Sequence, residues 1–214
     1  MTRAKLAGPD RFERAGVDKF DARREELADA ALATLGELGY ARTSLREIAQ
    51  KTAYSHGLLH YYFRDKVELI TFCVRRYKAA CVHRYDAVVA GASTADGLVE
   101  GFADALVATM VADFALHRLC YDLRAQSTFD EQLRLTVGEL DAQLESMVGR
   151  VVRRYAQLRG GRSVVTSLTA YATLDGLFEN CLVRHIAGDA GAADELRAGA
   201  HWLLPAWVPR PSSG

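Results

Sequence analysis

The chain has 214 residues, half of them apolar and a quarter charged, enough for a sizeable core in one or two domains of a soluble protein. No apolar run reaches membrane length and no charged-then-apolar leader is present, so a membrane partner is excluded and a cytoplasmic protein is expected. Formal net charge is zero, but residues 1–66 carry 12 Lys and Arg against 10 Asp and Glu and the remainder 15 against 17, so attraction for an anionic partner is local and salt-dependent rather than long-range.

Residues 1–20 are polar, carry Arg3, Lys5, Arg11, Arg14 and Lys19, and are interrupted by Gly8-Pro9 and Gly16. They read as a flexible, solvated arm. A first helix is predicted from about Asp21 to Leu38, with Leu27, Ala31, Leu35 and Leu38 on its inner face and Gly39 as its stop. Arg23 and Arg24 at its start suit either a phosphate or the neighbouring Glu25 and Glu26. Ser44 and Glu47 then form the spacing of a capping box. Leu45, Ile48 and Ala49 recur at helical spacing behind it. The pattern breaks at Thr52-Ala53-Tyr54, Ser55 is a good N-cap, and Leu59 and Phe63 share one face of a second short helix. Two short helices joined this way make a helix-turn-helix, whose second helix can enter a DNA major groove.

The opposite face of that second helix carries His56, Leu58, His60 and Tyr61, which offer hydrogen-bonding groups, a ring and an apolar contact for a thymine methyl. Gly57 removes a side chain where backbone could approach a duplex. Asp65 can cap the next helix and set Lys66 at its N-terminus, a phosphate-favouring position. Ser44, Arg46 and Ser55 complete the candidate DNA-binding set.

Over residues 22–72 the residues Gly39-Tyr40, Thr43-Ser44, Ile48-Ala49, Ser55, Gly57, Leu59, Tyr61-Tyr62-Phe63 and Lys66 stand in the order and spacing of the DNA-binding domain of TetR-family transcriptional regulators, which this stretch resembles. Ala53 stands where the family usually has a turn glycine, so a modest conformational cost is expected. His60 stands where a phosphate-contacting Tyr is usual.

Beyond Lys66 helices are predicted nearly throughout: about Lys66 to Val89, Ala95 to Met110 behind a Thr94 cap, Phe114 to Ala125 behind an Asp113 cap, Glu131 to Leu158, Ser163 to Ile186, and Ala192 to Leu204. Pro205, Pro209 and Pro211 are expected to end ordered structure. The fold class is all-α, about nine helices: a three-helix helix-turn-helix domain over residues 21–68, a larger helical domain over 69–205, and a tail over 206–214. The family resemblance implies a double-stranded DNA operator, a small-molecule effector inside the larger domain, and a homodimer through the last two helices. Candidate pocket walls are Phe72, Phe102, Leu106, Met110 and Phe114, with His117, Tyr121, Phe129, Tyr171 and Phe178. Asp175 or Glu179 would suit a cationic ligand. The candidate dimer surface is Leu168, Gly176, Leu177 and Val183 on the eighth helix with Leu196, Trp202 and Leu203 on the ninth.

Cys73, Cys81, Cys120 and Cys181 lack the spacing of a zinc site and read as packed thiols. No phosphate loop, nucleophile elbow or metalloprotease helix is present, so neither a cofactor nor catalysis is expected. The sequence thus points to a DNA-binding regulator, most simply a repressor released from a palindromic operator by an effector. A redox-sensing or effector-free regulator, and then an all-α enzyme or storage protein, are the alternatives.

Overall fold

The computed structural model of the chain describes residues 11–210, with side chains from residue 19 onward. The described residues form α1 (Arg11–Leu38), α2 (Leu45–Lys51), α3 (His56–Tyr62), α4 (Lys66–Gly91), α5 (Ala95–Ala112), α6 (Phe114–Gln126), α7 (Glu131–Arg159), α8 (Ser167–Ile186) and α9 (Ala192–Trp207), and contain no strand. The all-α architecture is that expected. The chain divides within α4 into two compact units, Met1–Cys73 and Val74–Gly214.

In the first unit, α1 to α3 and the start of α4 enclose a core of Leu27, Ala31 and Leu35 from α1, Ile48 from α2, Leu59 from α3 and Leu69 and Ile70 from α4, all fully buried. The helix ends follow their local chemistry. Ser44 caps α2 by accepting from the Glu47 amide at 3.2 Å, and Ser55 caps α3 by accepting from Leu58 at 3.2 Å. Asp65 caps α4, accepting from the Glu68 amide at 2.8 Å, and that bond, ahead of Arg64 beside it, holds its carboxyl below the usual carboxylate range. Gly39, at φ 76°, supplies the left-handed residue that stops α1.

In the second unit α5 and α7 to α9 surround a core that includes Phe102, Met110, Val151, Tyr155, Leu182 and Leu204. Thr94 and Asp130 cap α5 and α7 through bonds from Gly97 and Leu133, at 3.1 and 3.0 Å.

Four local expectations are corrected. First, α1 begins at Arg11, so residues 11–20 are helix rather than arm. The run is rich in Arg, Glu, Ala and Lys, and one interior glycine costs only about 1 kcal/mol. Arg3 and Lys5 lie outside the described residues. Second, Asp113 precedes α6 without capping it; its Oδ2 accepts instead from the Tyr77 hydroxyl at 3.2 Å and from Arg84 at 2.9 Å. Third, Pro205 lies inside α9 and does not end it. Downstream Trp207 and Val208 are buried, and the Trp207 carbonyl accepts from the Val164 amide at 2.9 Å; this anchoring offsets the amide hydrogen bond that proline cannot make. Fourth, no residue other than glycine has positive φ among the described residues, so Ala53 bears no strain in the turn between α2 and α3.

Candidate functional site

The α2–turn–α3 segment of the first unit is held from below and open above. Leu45, Ile48, Leu59 and Phe63 are at most 5 % exposed. On the other side Ser44, Arg46, Ser55, His56, Gly57 and His60 are exposed, Leu58 is half-buried, and Tyr61 is 71 % exposed. The fold therefore brings eight of the nine predicted DNA-binding residues onto α2, α3 and their caps, with Lys66 at the start of α4. The His56 and His60 rings lie edge to face at 4.5 Å. Ser44 and Ser55 spend their oxygens as cap acceptors and keep a hydroxyl proton to donate outward. A Cβ on Gly57 would meet nothing within 4 Å, so nothing inside the unit demands glycine there. Lys66 is tied inward: its Nζ donates to the Tyr40 carbonyl at 3.0 Å and sits 4.0 Å from the Tyr40 ring centroid.

Of the two open arginines, Arg23 pairs with Glu26, which also accepts from the Tyr54 hydroxyl at 2.8 Å. Arg24 is structural. It donates to Glu68 at 2.7 Å and lies 4.8 and 4.7 Å from the Phe63 and Phe72 ring centroids.

The second unit contains a cavity of about 60 Å³ bounded by α4 to α8. Its apolar wall includes Leu106, Leu144, Met147, Val148, Leu174 and Phe178, and its polar wall Lys78, Cys81, His117, Tyr121, Tyr171 and Asp175. A second cavity of about 30 Å³ adjoins it, and Lys78, Tyr121, Leu144 and Asp175 line both. Two hydrogen-bonded groups frame this space. In one, the His117 Nε2 and the Tyr77 hydroxyl lie 2.9 Å apart. Burial above all, and then the charges of Lys78 and Arg84, push the His117 pKa down to about 2, so the ring is neutral. In the other, Arg124 bridges Asp175 and Asp141, the latter at 2.6 Å, and donates to the Tyr171 hydroxyl at 2.6 Å. Tyr121 donates to Asp175 at 3.1 Å, and burial, then the Asp175 charge, raises its pKa.

Of the predicted pocket walls, Leu106, His117, Tyr121, Tyr171 and Phe178 line this cavity. The other five do not. Phe72 belongs to the first unit, where its ring packs 5.7 Å from that of Phe63. Phe102 and Met110 are consumed by the core, Phe114 is 40 % exposed, and Phe129 is 90 % exposed in the turn before α7. Aromatic size identified apolar surface, but the helical phase of each residue decides which surface it joins. Asp175 already accepts from Arg124 and Tyr121, and Glu179 is exposed, so neither carboxylate awaits a cation. Lys78, Leu144 and Met147 were missed. The available signal was Lys78's position: a lysine on the stripe that Val74, Cys81 and Tyr85 define as buried.

On the outer side of α8 and α9, Leu168 and Val183 are each 60 % exposed and Trp202 is 70 % exposed. Gly176 is exposed, and Leu177, Trp202 and Leu203 line a shallow groove with Thr173 and Gly199. Leu203 is the groove floor, 5 % exposed, while Leu196 is wholly buried in the core and is not part of this face. Leu196 falls on the α9 stripe shared with Ala200, Leu203 and Trp207, which packs inward.

Among the described residues no group of three or more His, Cys, Asp or Glu is placed to hold a metal ion, and no helix is long and apolar enough to cross a membrane. The four cysteines are free thiols, three of them buried.

A capped helix-turn-helix with an open polar face, followed in the chain by a helical unit with a lined cavity, fits a DNA-binding transcriptional regulator. Residues 27–71 match the family of bacterial regulatory proteins, tetR family. The chain is 25 % identical over 172 residues, 80 % of this chain and 87 % of the other, to the HTH-type transcriptional repressor Rv1474c of Mycobacterium tuberculosis. Over 53 residues, 25 % of this chain and 27 % of the other, it is 36 % identical to the HTH-type transcriptional regulator BetI of Yersinia pestis. Its fold matches that of a TetR transcription regulator from Haloarcula marismortui with a TM-score of 0.72 at 18 % identity, covering 88 % of this chain and 99 % of that one.

Proposed function

We propose that the protein is a repressor that binds a palindromic operator as a homodimer in the cytoplasm and is released by a small-molecule effector, acting through binding rather than catalysis. The observation that carries the reading is the pairing of an open recognition face on α3 with a lined cavity in the second unit. Tyr61 and His56 read base edges, Leu58 meets an apolar base group, and Ser44, Arg46, Ser55 and His60 hold phosphate oxygens. Lys66, already donating to Tyr40, keeps two protons for a phosphate. The exposed Leu168, Val183 and Trp202 form the pairing face with Gly176 and Leu177. Pairing presents two α3 helices to successive major-groove faces about 34 Å apart.

α4 starts in the first unit and ends in the second, and in this proposal it carries the signal. An effector that binds one arrangement of the cavity better than another shifts α4 and with it the spacing of the two α3 helices, by no more than that difference in affinity allows. Selection of bound duplexes from a random DNA pool, with the mass of the complex recorded, tests this. A palindromic site bound by two chains supports the proposal. A pool with no enriched sequence, bound only at low salt, rejects it.

A further inference from the structure

We infer that the cavity of the second unit takes a small apolar monocarboxylate, with Lys78 as its counter-ion. The inference rests on the effector reading above and names the chemical class of the ligand.

Lys78 projects from α4 into the space between the two cavities and lines both. It is 8 % exposed, yet makes no ion pair or hydrogen bond among the described residues; its Nζ lies 5.7 Å from the Tyr77 ring centroid. That Nζ is not among the fully enclosed, unbonded polar atoms of the described residues, so the stem is packed while the ammonium meets the open space of the cavities, where a bound carboxylate would supply the counter-charge that the chain does not. The nearby carboxylates do not fill the role. Asp175 and Asp141 are closed onto Arg124, Tyr121 and Tyr171. Asp113, facing His117 from the same side, accepts from Tyr77 and Arg84. Both carboxylates that line the cavities, Asp175 and Asp141, thus have their own donors, and of the described lysine and arginine residues lining them, Lys78 and Arg124, only Arg124 is bonded to a carboxylate.

The remaining wall fits the rest of such a ligand. Neutral His117 neither repels an anion nor competes for it as a cation, and a carboxylate at Lys78 points its apolar body toward Leu106, Met147 and Phe178. The first cavity, about 60 Å³, and the second, about 30 Å³, together admit roughly six to nine water-sized groups. That is the size of hexanoate or benzoate, and too small for a long acyl chain without rearrangement. A cationic ligand would meet the Lys78 charge, and the two carboxylates lining the cavities are already bonded to Arg124.

The test compares hexanoate and benzoate with their neutral amides, on the full-length protein, by calorimetric affinity and by the rise in melting temperature that a native-state ligand produces. Each acid should bind at least tenfold more tightly than its amide. Lys78→Met should erase that preference while leaving the fold intact by circular dichroism, and Lys78→Arg should keep it. Equal binding of acid and amide, an unchanged preference in Lys78→Met, or no binding of either acid would overturn the assignment. The same ligands scored for release of a selected operator separate this inference from the effector reading. Release by amides and acids alike removes the anion and keeps an effector site. Lys78-dependent acid binding that leaves operator affinity unchanged keeps the anion site and removes the effector role.

Discussion

Burial decides what His117 does with a proton. The ring is 5 % exposed, beside Lys78 and Arg84, and its pKa lies near 2 against 6.5 for a free histidine. Above pH 6.5 folded and unfolded chains are both neutral at this ring, and its burial costs nothing through protonation. Below pH 6.5 the unfolded chain takes up a proton that the folded one refuses, so stability is lost as pH falls toward the folded value, at about 1.4 kcal/mol per pH unit. Between pH 7 and 5 the loss from this residue is about 2 kcal/mol. Urea unfolding of the wild type and of His117→Gln at both pH values should show the variant losing that much less; parallel losses would mean the ring titrates normally. Arg24 and Arg46 divide a second question. Arg24, stacked between Phe63 and Phe72 and bonded to Glu68, should cost about 1–3 kcal/mol of first-unit stability when replaced by Ala. Exposed Arg46→Ala should leave melting unchanged and lower the salt slope of DNA binding by about one.

At the scale of the element, the serines before α2 and α3 belong to the fold before they belong to any partner. Ser55→Ala removes the acceptor for the Leu58 amide and should cost about 1 kcal/mol. Ser55→Asp keeps an acceptor and adds a negative charge to the proposed DNA face, so it should melt like the wild type and bind the operator weakly. If both variants bind DNA equally well, Ser55 caps α3 and does nothing more. The turn between those helices gives a sharper contrast. With no positive φ at Ala53, Ala53→Gly should destabilise by about 0.5–1 kcal/mol through added freedom in the unfolded chain, measured by urea titration. Helix identities and most caps were legible in the sequence because caps act through bonds three residues long: Ser44, Ser55, Asp65 and Thr94 all do what their spacing predicts. Asp113 does not, because Tyr77 and Arg84, more than 25 residues away, claim its carboxylate. Pro205 fails as a stop for the same reason: the burial of Trp207 and Val208 is tertiary.

For the whole molecule the legibility splits along the unit boundary. The exposed face of α2 and α3 could be read because its residues lie on one short contiguous stretch, from Ser44 to Lys66. The cavity assembles residues from α4 to α8, and periodicity assigns a residue to a buried face without saying whether that face meets another helix or an empty space. Half of the predicted walls therefore fell elsewhere. The same holds for Leu196, apolar like Trp202 but on the inward side of α9. Trp202→Glu, which places charge on an exposed side chain and leaves the core untouched, should convert the proposed dimer to monomer and reduce operator affinity at least tenfold, measured by sedimentation and by operator titration. A dimer that persists in the variant would move pairing to another face.

Gly199 lies where α9 crosses α8, and a Cβ built there would stand 2.3 Å from the Leu177 side chain. Leu177 is both the plug of that crossing and a wall of the outer groove. A single methyl at position 199 would therefore displace Leu177 and reshape the groove from its own wall. If the proposed pairing face is the one copies use, packing at one glycine then becomes a means of choosing kin: it would set the relief by which a chain meets its own copy and turns away a paralogue.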